Sequence, residues 1–126
     1  MNIIKADARE LKENFLKSFD ILIPLAAIVG APACDRNPTE AISINGDSIK
    51  NICKAISKNQ MIIFPTTNSG YGTTSGELMC DENTPLNPIS LYGKLKKESE
   101  EIIMTRENSI SFRLATVFGV SPRHRI

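Results

Sequence analysis

Gln60-Met61-Ile62-Ile63-Phe64-Pro65-Thr66-Thr67-Asn68-Ser69-Gly70-Tyr71-Gly72 changes character halfway along. The first five residues form a short apolar run of the kind a strand buried on both faces requires. Pro65 has no amide hydrogen for a ladder and is expected to close it. The hydroxyl, amide and glycine residues that follow read as a segment leaving the carboxyl end of that strand. Upstream, Asp20 opens a longer run, Ile21-Leu22-Ile23-Pro24-Leu25-Ala26-Ala27-Ile28-Val29, which reads as a central parallel strand whose pairing ends near Pro24. Downstream, Ser109-Ile110-Ser111-Phe112-Arg113-Leu114 is a third strand, and Asn2-Ile3-Ile4-Lys5-Ala6, ending at Asp7, is a short candidate.

Helical patterns separate these runs. Residues 8–18 place Leu11, Phe15 and Leu16 at helical spacing. Gly30-Ala31-Pro32 to Asn37 reads as a loop, and Pro38 suits the first position of a helix over residues 39–58. That helix has an apolar stripe of Ala41, Ile49, Ile52, Cys53 and Ile56, with Asn45 on it. Residues 66–88 form a polar loop too long to be idle in a compact domain, and Ser90 caps a third helix to about Arg106. The order strand–helix–strand–helix–strand–helix–strand predicts an α/β fold, a parallel sheet with right-handed crossovers and flanking helices. Ligands of such sheets bind beyond the carboxyl ends of strands, here residues 25–30, 66–72 and 115–119.

Composition narrows the function classes. The 126 residues are 41% hydrophobic and 23% charged with a net charge of +1, and the basic residues are interleaved with acidic ones, which argues against a nucleic-acid partner and against disorder. Cys34, Cys53 and Cys80 are far apart and odd in number, so neither a disulfide framework nor a metal site is expected. No apolar run approaches the roughly 20 residues that span a bilayer, and no signal core opens the chain; a soluble, cytoplasmic protein is the expectation.

Three groups could carry chemistry. Tyr92-Gly93-Lys94-Leu95-Lys96 puts a phenol and an amine four residues apart, on one face of a helix. A tyrosine alone titrates near 10, and a neighbouring ammonium lowers that value by favouring the phenolate, which makes a proton shuttle for a hydroxyl or carbonyl. The plainer alternative is a boundary tyrosine and a solvated lysine on a charged outer face with Lys94, Lys97, Glu98, Glu100 and Glu101. Thr66 to Gly72 offers hydroxyls held at a strand end, or simply a Ser/Thr/Gly turn. Asn45 on an apolar stripe must find partners, most simply a neighbouring backbone. Gly46 beside it is unfavourable in mid-helix and expected to mark the close approach of another backbone. His124, alone of its kind, leaves no histidine-based triad or multi-histidine metal site.

Taken together and in order, these pieces resemble the extended short-chain dehydrogenases/reductases, the NAD-dependent epimerase/dehydratase family. The matching stretches are Leu25-Ala26-Ala27 after a strand, Asn45, Thr66 to Gly72, Asp81-Glu82 with Pro85 and Pro88, Tyr92 to Lys96, and Arg113-Leu114-Ala115-Thr116-Val117-Phe118-Gly119. The resemblance implies a partial Rossmann-like NAD(P)-binding domain spanning 1–126. It implies Tyr92 as general acid/base, Lys96 lowering its pKa and bonding the nicotinamide ribose, and Thr67 in the place of the family's catalytic Ser or Thr. Leu25, Ala26, Ala27, Asn45, Thr66 and Ala115 would lie at the NAD (or NADP) cofactor, Asp7 would reach the adenine, and Ser69 and Thr116 would meet a nucleotide-sugar substrate. A homodimer through the helices at 39–58 and 90–106 is implied for a full-length member.

Two departures shape the expectation. Asn68-Ser69 stands where the family's dehydratases carry an acidic pair, which leaves an epimerase or keto-reductase. The family's opening G-x-x-G-x-x-G turn is missing, as is its substrate-binding C-terminal segment, so the chain reads as a central fragment. The alternative is a non-catalytic remnant of the family, at most a dimerising subunit.

Overall fold

The computed structural model describes residues 3–73, 79–115, 117 and 119. Strands β1 (Ile21–Leu22), β2 (Met61–Thr67) and β3 (Ser109–Leu114) pair in parallel in the order β1-β2-β3. The 60–67 stretch is therefore the centre of the sheet. The 21–29 run, expected as the central strand, is its edge: two residues pair, and Ile21, Ile23, Leu25 and Val29 are each more than half exposed. Pairing does stop ahead of Pro24, as its missing amide hydrogen requires.

Pro65 is a second correction, because it lies inside β2, opposite Phe112, rather than closing it. Met61 N–H donates to Asp20 on the β1 side at 2.9 Å and Ile62 N–H to Asn108 on the β3 side at 3.1 Å. Amides alternate sides along a strand, so position 65 faces β1, where the ladder has already ended at Leu22. The proline removes no ladder bond, and β2 continues to Thr67.

Helices cover one face. A short α1 (Glu13–Leu16), α2 (Ala31–Arg36), α3 (Pro38–Ala41), a π-helical segment (Ile42–Asp47), α4 (Ser48–Ala55) and the long α5 (Leu91–Met104) follow in order. The expected stripe packs as its period requires: Ile49, Ile52 and Ile56 bury against Leu22, Ile62, Phe64 and Ile103. Ala41 joins Cys34 and Leu95 in a smaller cluster that Ile28 and Tyr92 flank. Ser90 caps α5 through its hydroxyl, which accepts from Gly93 N–H at 3.1 Å. On the other sheet face Ile21, Ile23, Ile110, Phe112 and Leu114 remain 40–53% exposed.

Other boundaries differ from expectation for local reasons. Residues 3–7 form no strand, and Ile3 and Ile4 are exposed. The helix expected over residues 8–18 is a 3-10 turn (Ala8–Glu10) and the separate α1, because Asp7 caps the turn and Leu11 and Lys12 are extended. The expected loop at 30–37 holds α2, started by Gly30 at φ 89° and by Pro32 in its first turn. The 39–58 helix runs without a gap from Pro38 to Ala55 but loosens to π geometry around Asn45, whose carbonyl accepts from the Ser99 hydroxyl of α5 at 2.8 Å. Gly46 faces a side chain rather than a backbone: a Cβ there would lie 3.5 Å from Leu95 Cδ2.

Candidate active site

The central strand ends at Thr67, half-buried and extended at φ −140°, ψ 145°. Its hydroxyl oxygen accepts from Ser69 N–H at 3.2 Å and its hydroxyl donates to Ser69 Oγ at 3.1 Å, capping a 3-10 turn (Asn68–Tyr71). Thr66, one residue earlier, is buried on the helix-covered face and stands opposite Arg113 in the ladder. Gly72, at φ 69°, ends the turn so close to the returning chain that a Cβ would sit 1.9 Å from the Asn87 carbonyl oxygen. Gly70 is less constrained, since a Cβ there would lie 3.4 Å from Leu86 Cδ2.

The start of α5 is pressed onto this turn. A Cβ at Gly93 would lie 2.9 Å from Pro88 Cβ and 3.1 Å from the Ser69 carbonyl oxygen, so only glycine lets the helix approach that far. Tyr92 is half-buried and engaged in an interaction of its own. One turn on, Lys96 is 8% exposed; its Nζ donates to the Pro65 carbonyl at 3.1 Å and lies 4.5 Å from the centre of the Phe64 ring. The carbonyl it takes is the one left facing the unpaired side of β2. Burial pushes the lysine pKa down. The carboxyl end of the central strand and the turn after it, which carry Thr66, Thr67 and Ser69, thus meet the first turns of α5, which carry Tyr92 and Lys96.

Beyond β1, Leu25 and Ala26 are exposed and Ala27 half-buried. The loop they belong to is held from α3–α4: Asn45 Oδ1 accepts from Ile28 N–H at 2.8 Å, and Asn45 Nδ2 donates to Ile28 O at 2.9 Å. Asn45 itself is 3% exposed. Asp7 is engaged locally. Arg9 donates to its carboxylate from the backbone and from Nε and Nη2, and that side-chain hydrogen bonding lowers the Asp7 pKa to about 2. Ala115 is exposed just past β3, and Thr116 lies outside the described residues, as does His124.

Sequence reasoning misread one group. Glu100 is buried, not part of the charged outer face, and it is bound by Arg113, whose Nε donates to Glu100 Oε1 at 2.9 Å. Arg113 Nη1 also donates to Tyr71 Oη and to the Glu82 carbonyl, each at 3.1 Å, with the guanidinium 5.3 Å from the Tyr71 ring centre. Tyr71 in turn donates to the Asp81 carbonyl at 2.9 Å. The signal was available, since Tyr92, Lys96 and Glu100 recur at every fourth position and so share a helix face.

The sequence pattern of the NAD dependent epimerase/dehydratase family matches residues 2–126. An uncharacterised UDP-glucose epimerase of Bacillus subtilis (strain 168) is 30% identical over 98% of this chain, which spans 39% of that relative's length. Among solved structures, a UDP-N-acetylglucosamine 4-epimerase of Methanobrevibacter ruminantium M1 superposes with a TM-score of 0.83 at 24% identity, covering 98% of this chain and 44% of the other. A UDP-glucuronic acid 4-epimerase of Bacillus cereus, in complex with UDP-glucuronic acid and NAD, superposes with a TM-score of 0.74 at 21% identity, covering 87% and 37%. At those identities the two structures speak for the fold, a Rossmann-like parallel sheet with flanking helices. The chain thus spans about two-fifths of the length of these three proteins.

Proposed function

The chain belongs to the NAD-dependent epimerase/dehydratase family, and from that membership we propose that it carries the catalytic centre of an oxidoreductase or isomerase acting on a nucleotide sugar. The observation that carries this reading is the buried Lys96, one helical turn after Tyr92, on a helix whose Gly93 touches the turn that Thr67 caps. A buried ammonium one turn from a phenol favours the phenolate, which is what a tyrosine needs to exchange a proton near neutral pH.

In this reading Tyr92 takes the proton from a sugar hydroxyl as its carbon is oxidised, and returns it when the resulting ketone is reduced. The Lys96 ammonium favours the phenolate and so makes the phenol more acidic. Thr67 exchanges its donation to Ser69 Oγ for donation to the same substrate oxygen, while the bond from Ser69 N–H keeps the hydroxyl in place. Bound NAD or NADP would supply the hydride acceptor and donor. The residues present fit its nicotinamide end: exposed apolar Leu25 and Ala26 beyond β1, held through Asn45, and the Lys96 ammonium for the ribose. No G-x-x-G-x-x-G occurs among the seven glycines, so the sequence provides no matching cradle for the diphosphate. Without an acidic pair at Asn68-Ser69, epimerisation or keto-reduction is favoured over dehydration.

Calorimetric titration of the 126-residue chain with NAD, followed by assay of hydride transfer with UDP-sugars, tests the reading. Binding at millimolar NAD, with turnover reduced about 100-fold or more in Tyr92→Phe and Lys96→Met, is expected. No binding at that concentration would leave a second reading, a non-catalytic subunit that associates through apolar surface. Ile110, Phe112 and Leu114 on the uncovered sheet face favour that alternative.

A further inference from the structure

Glu100 follows Lys96 by four residues, the spacing at which a carboxylate and an ammonium pair on a helix surface. Both side chains are buried, where such a pair would be little screened. Yet Lys96 Nζ is bound to the Pro65 carbonyl, and the Glu100 carboxylate is drawn toward β3 by Arg113. Arg113 stands in the ladder beside Thr66 and is 21% exposed at its side chain; Glu100 is 9% exposed. We propose that Arg113 is a positioning residue that keeps the Glu100 carboxylate away from Lys96, leaving the ammonium available to the Tyr92 phenol. The inference rests on the Tyr92–Lys96 reading above and adds a residue to it.

The alternative pairing has a definite consequence. A Lys96–Glu100 ion pair would offset most of the charge that the phenol senses and would draw Nζ away from the strand end. The Arg113 cation prevents this by holding the Glu100 carboxylate, while its remaining N–H groups bond Tyr71 and the Glu82 carbonyl. The surrounding elements offer few competitors. β2 contributes no ionisable side chain, and α2 presents Cys34. Cys53 of α4 is half-buried. Asp35 and Arg36 are exposed, Asp47 of the π segment pairs with Lys50, and Lys97 pairs with Glu101 on the outer side of α5. Asp81 and Glu82 are exposed on the returning loop.

The chain has two tyrosines and no tryptophan, so in a Tyr71→Phe background phenolate absorbance reports Tyr92 alone. That background keeps the Arg113 bonds to Glu100 and to the Glu82 carbonyl. Lys96→Met is expected to raise the Tyr92 midpoint, and Arg113→Gln to raise it by about one unit. Adding Glu100→Gln to Arg113→Gln should return it to within a few tenths of the starting value, a restoration that a merely structural role for Arg113 would not give. Arg113→Lys, which keeps the cation, should stay near the parent and serves if Arg113→Gln does not fold. A midpoint that ignores Arg113→Gln, a rise that Glu100→Gln fails to reverse, or a full-unit rise in Arg113→Lys overturns the proposal. No response to Lys96→Met overturns the Tyr92–Lys96 reading and this inference with it. The titration uses neither NAD nor sugar, so a chain that binds no cofactor still decides the role of Arg113.

Discussion

The side chain of Asn45 replaces a strand partner for Ile28: its oxygen takes the Ile28 N–H and its nitrogen fills the Ile28 carbonyl. β1 has stopped pairing by then, so the loop that follows hangs from the π segment through one amide. Asn45→Ala should cost about 1–3 kcal/mol, the penalty for leaving the partly buried Ile28 N–H without its partner and the Ile28 carbonyl with only the Cys34 thiol. Asn45→Asp should cost at least as much, because a carboxylate keeps the acceptor and turns a second oxygen toward a carbonyl. Urea denaturation measures both, and a change below about 0.5 kcal/mol in either would show that water replaces the amide freely.

Lys96 sets a pH dependence of stability. Burial lowers its folded pKa below the ordinary 10.5, so the unfolded chain holds a proton there that the folded chain releases earlier. In the window between the lowered folded value and 10.5 the unfolded state binds more protons, and stability rises with pH. Below that window both states are protonated and the contribution of Lys96 is at its least favourable, without further change. Thermal melts across the alkaline range should therefore show a rising component in the parent that Lys96→Met lacks. Identical slopes in the two proteins would mean that the ammonium is better solvated than its burial implies.

Gly72 tests how tightly the strand-end turn is clamped. An alanine there would need φ 69°, and its Cβ would fall 1.9 Å from the Asn87 oxygen, a backbone atom that cannot swing aside. Gly72→Ala should cost about 2–3 kcal/mol and loosen the 85–88 return that lies against Gly70, Gly72 and Gly93. Hydrogen exchange would find the Ser69 and Gly70 amides deprotected; protection equal to the parent would show that the turn stands without its cover.

Much of this was legible in the residues, and the exceptions of tertiary origin share a cause. The three strands, the cap at Ser90 and the Ile49, Ile52, Ile56 stripe follow from local period and composition. Whether the 21–29 run would be central or peripheral depends on which elements flank it, which an apolar run cannot encode. Pro65 looked like a strand end because a missing donor matters only on a paired side, and sidedness appears only with the register. Glu100 looked like surface because its partner, Arg113, is 13 residues away on another element. Residues 39–58 read as one regular helix, and the π turn within it goes with tertiary bonds of Asn45 and Ser99 that its local sequence does not show.

The sheet face opposite the helices makes the last prediction. Parallel sheets are ordinarily buried on both faces, and here Ile110, Phe112 and Leu114 alternate outward from β3 beside Ile21 and Ile23 of the β1 edge. Contiguous apolar surface of this kind drives association in water. The 126-residue chain should self-associate at micromolar concentration, and Phe112→Lys with Leu114→Lys should shift it toward monomer. Both positions are already 42–49% exposed and the core lies on the other face, so the substitutions should cost no more than about 1 kcal/mol of stability. Sedimentation velocity across a concentration series reads the first effect and denaturant melts the second. A parent that sediments as a monomer throughout would mean that this face is less adhesive than its composition dictates.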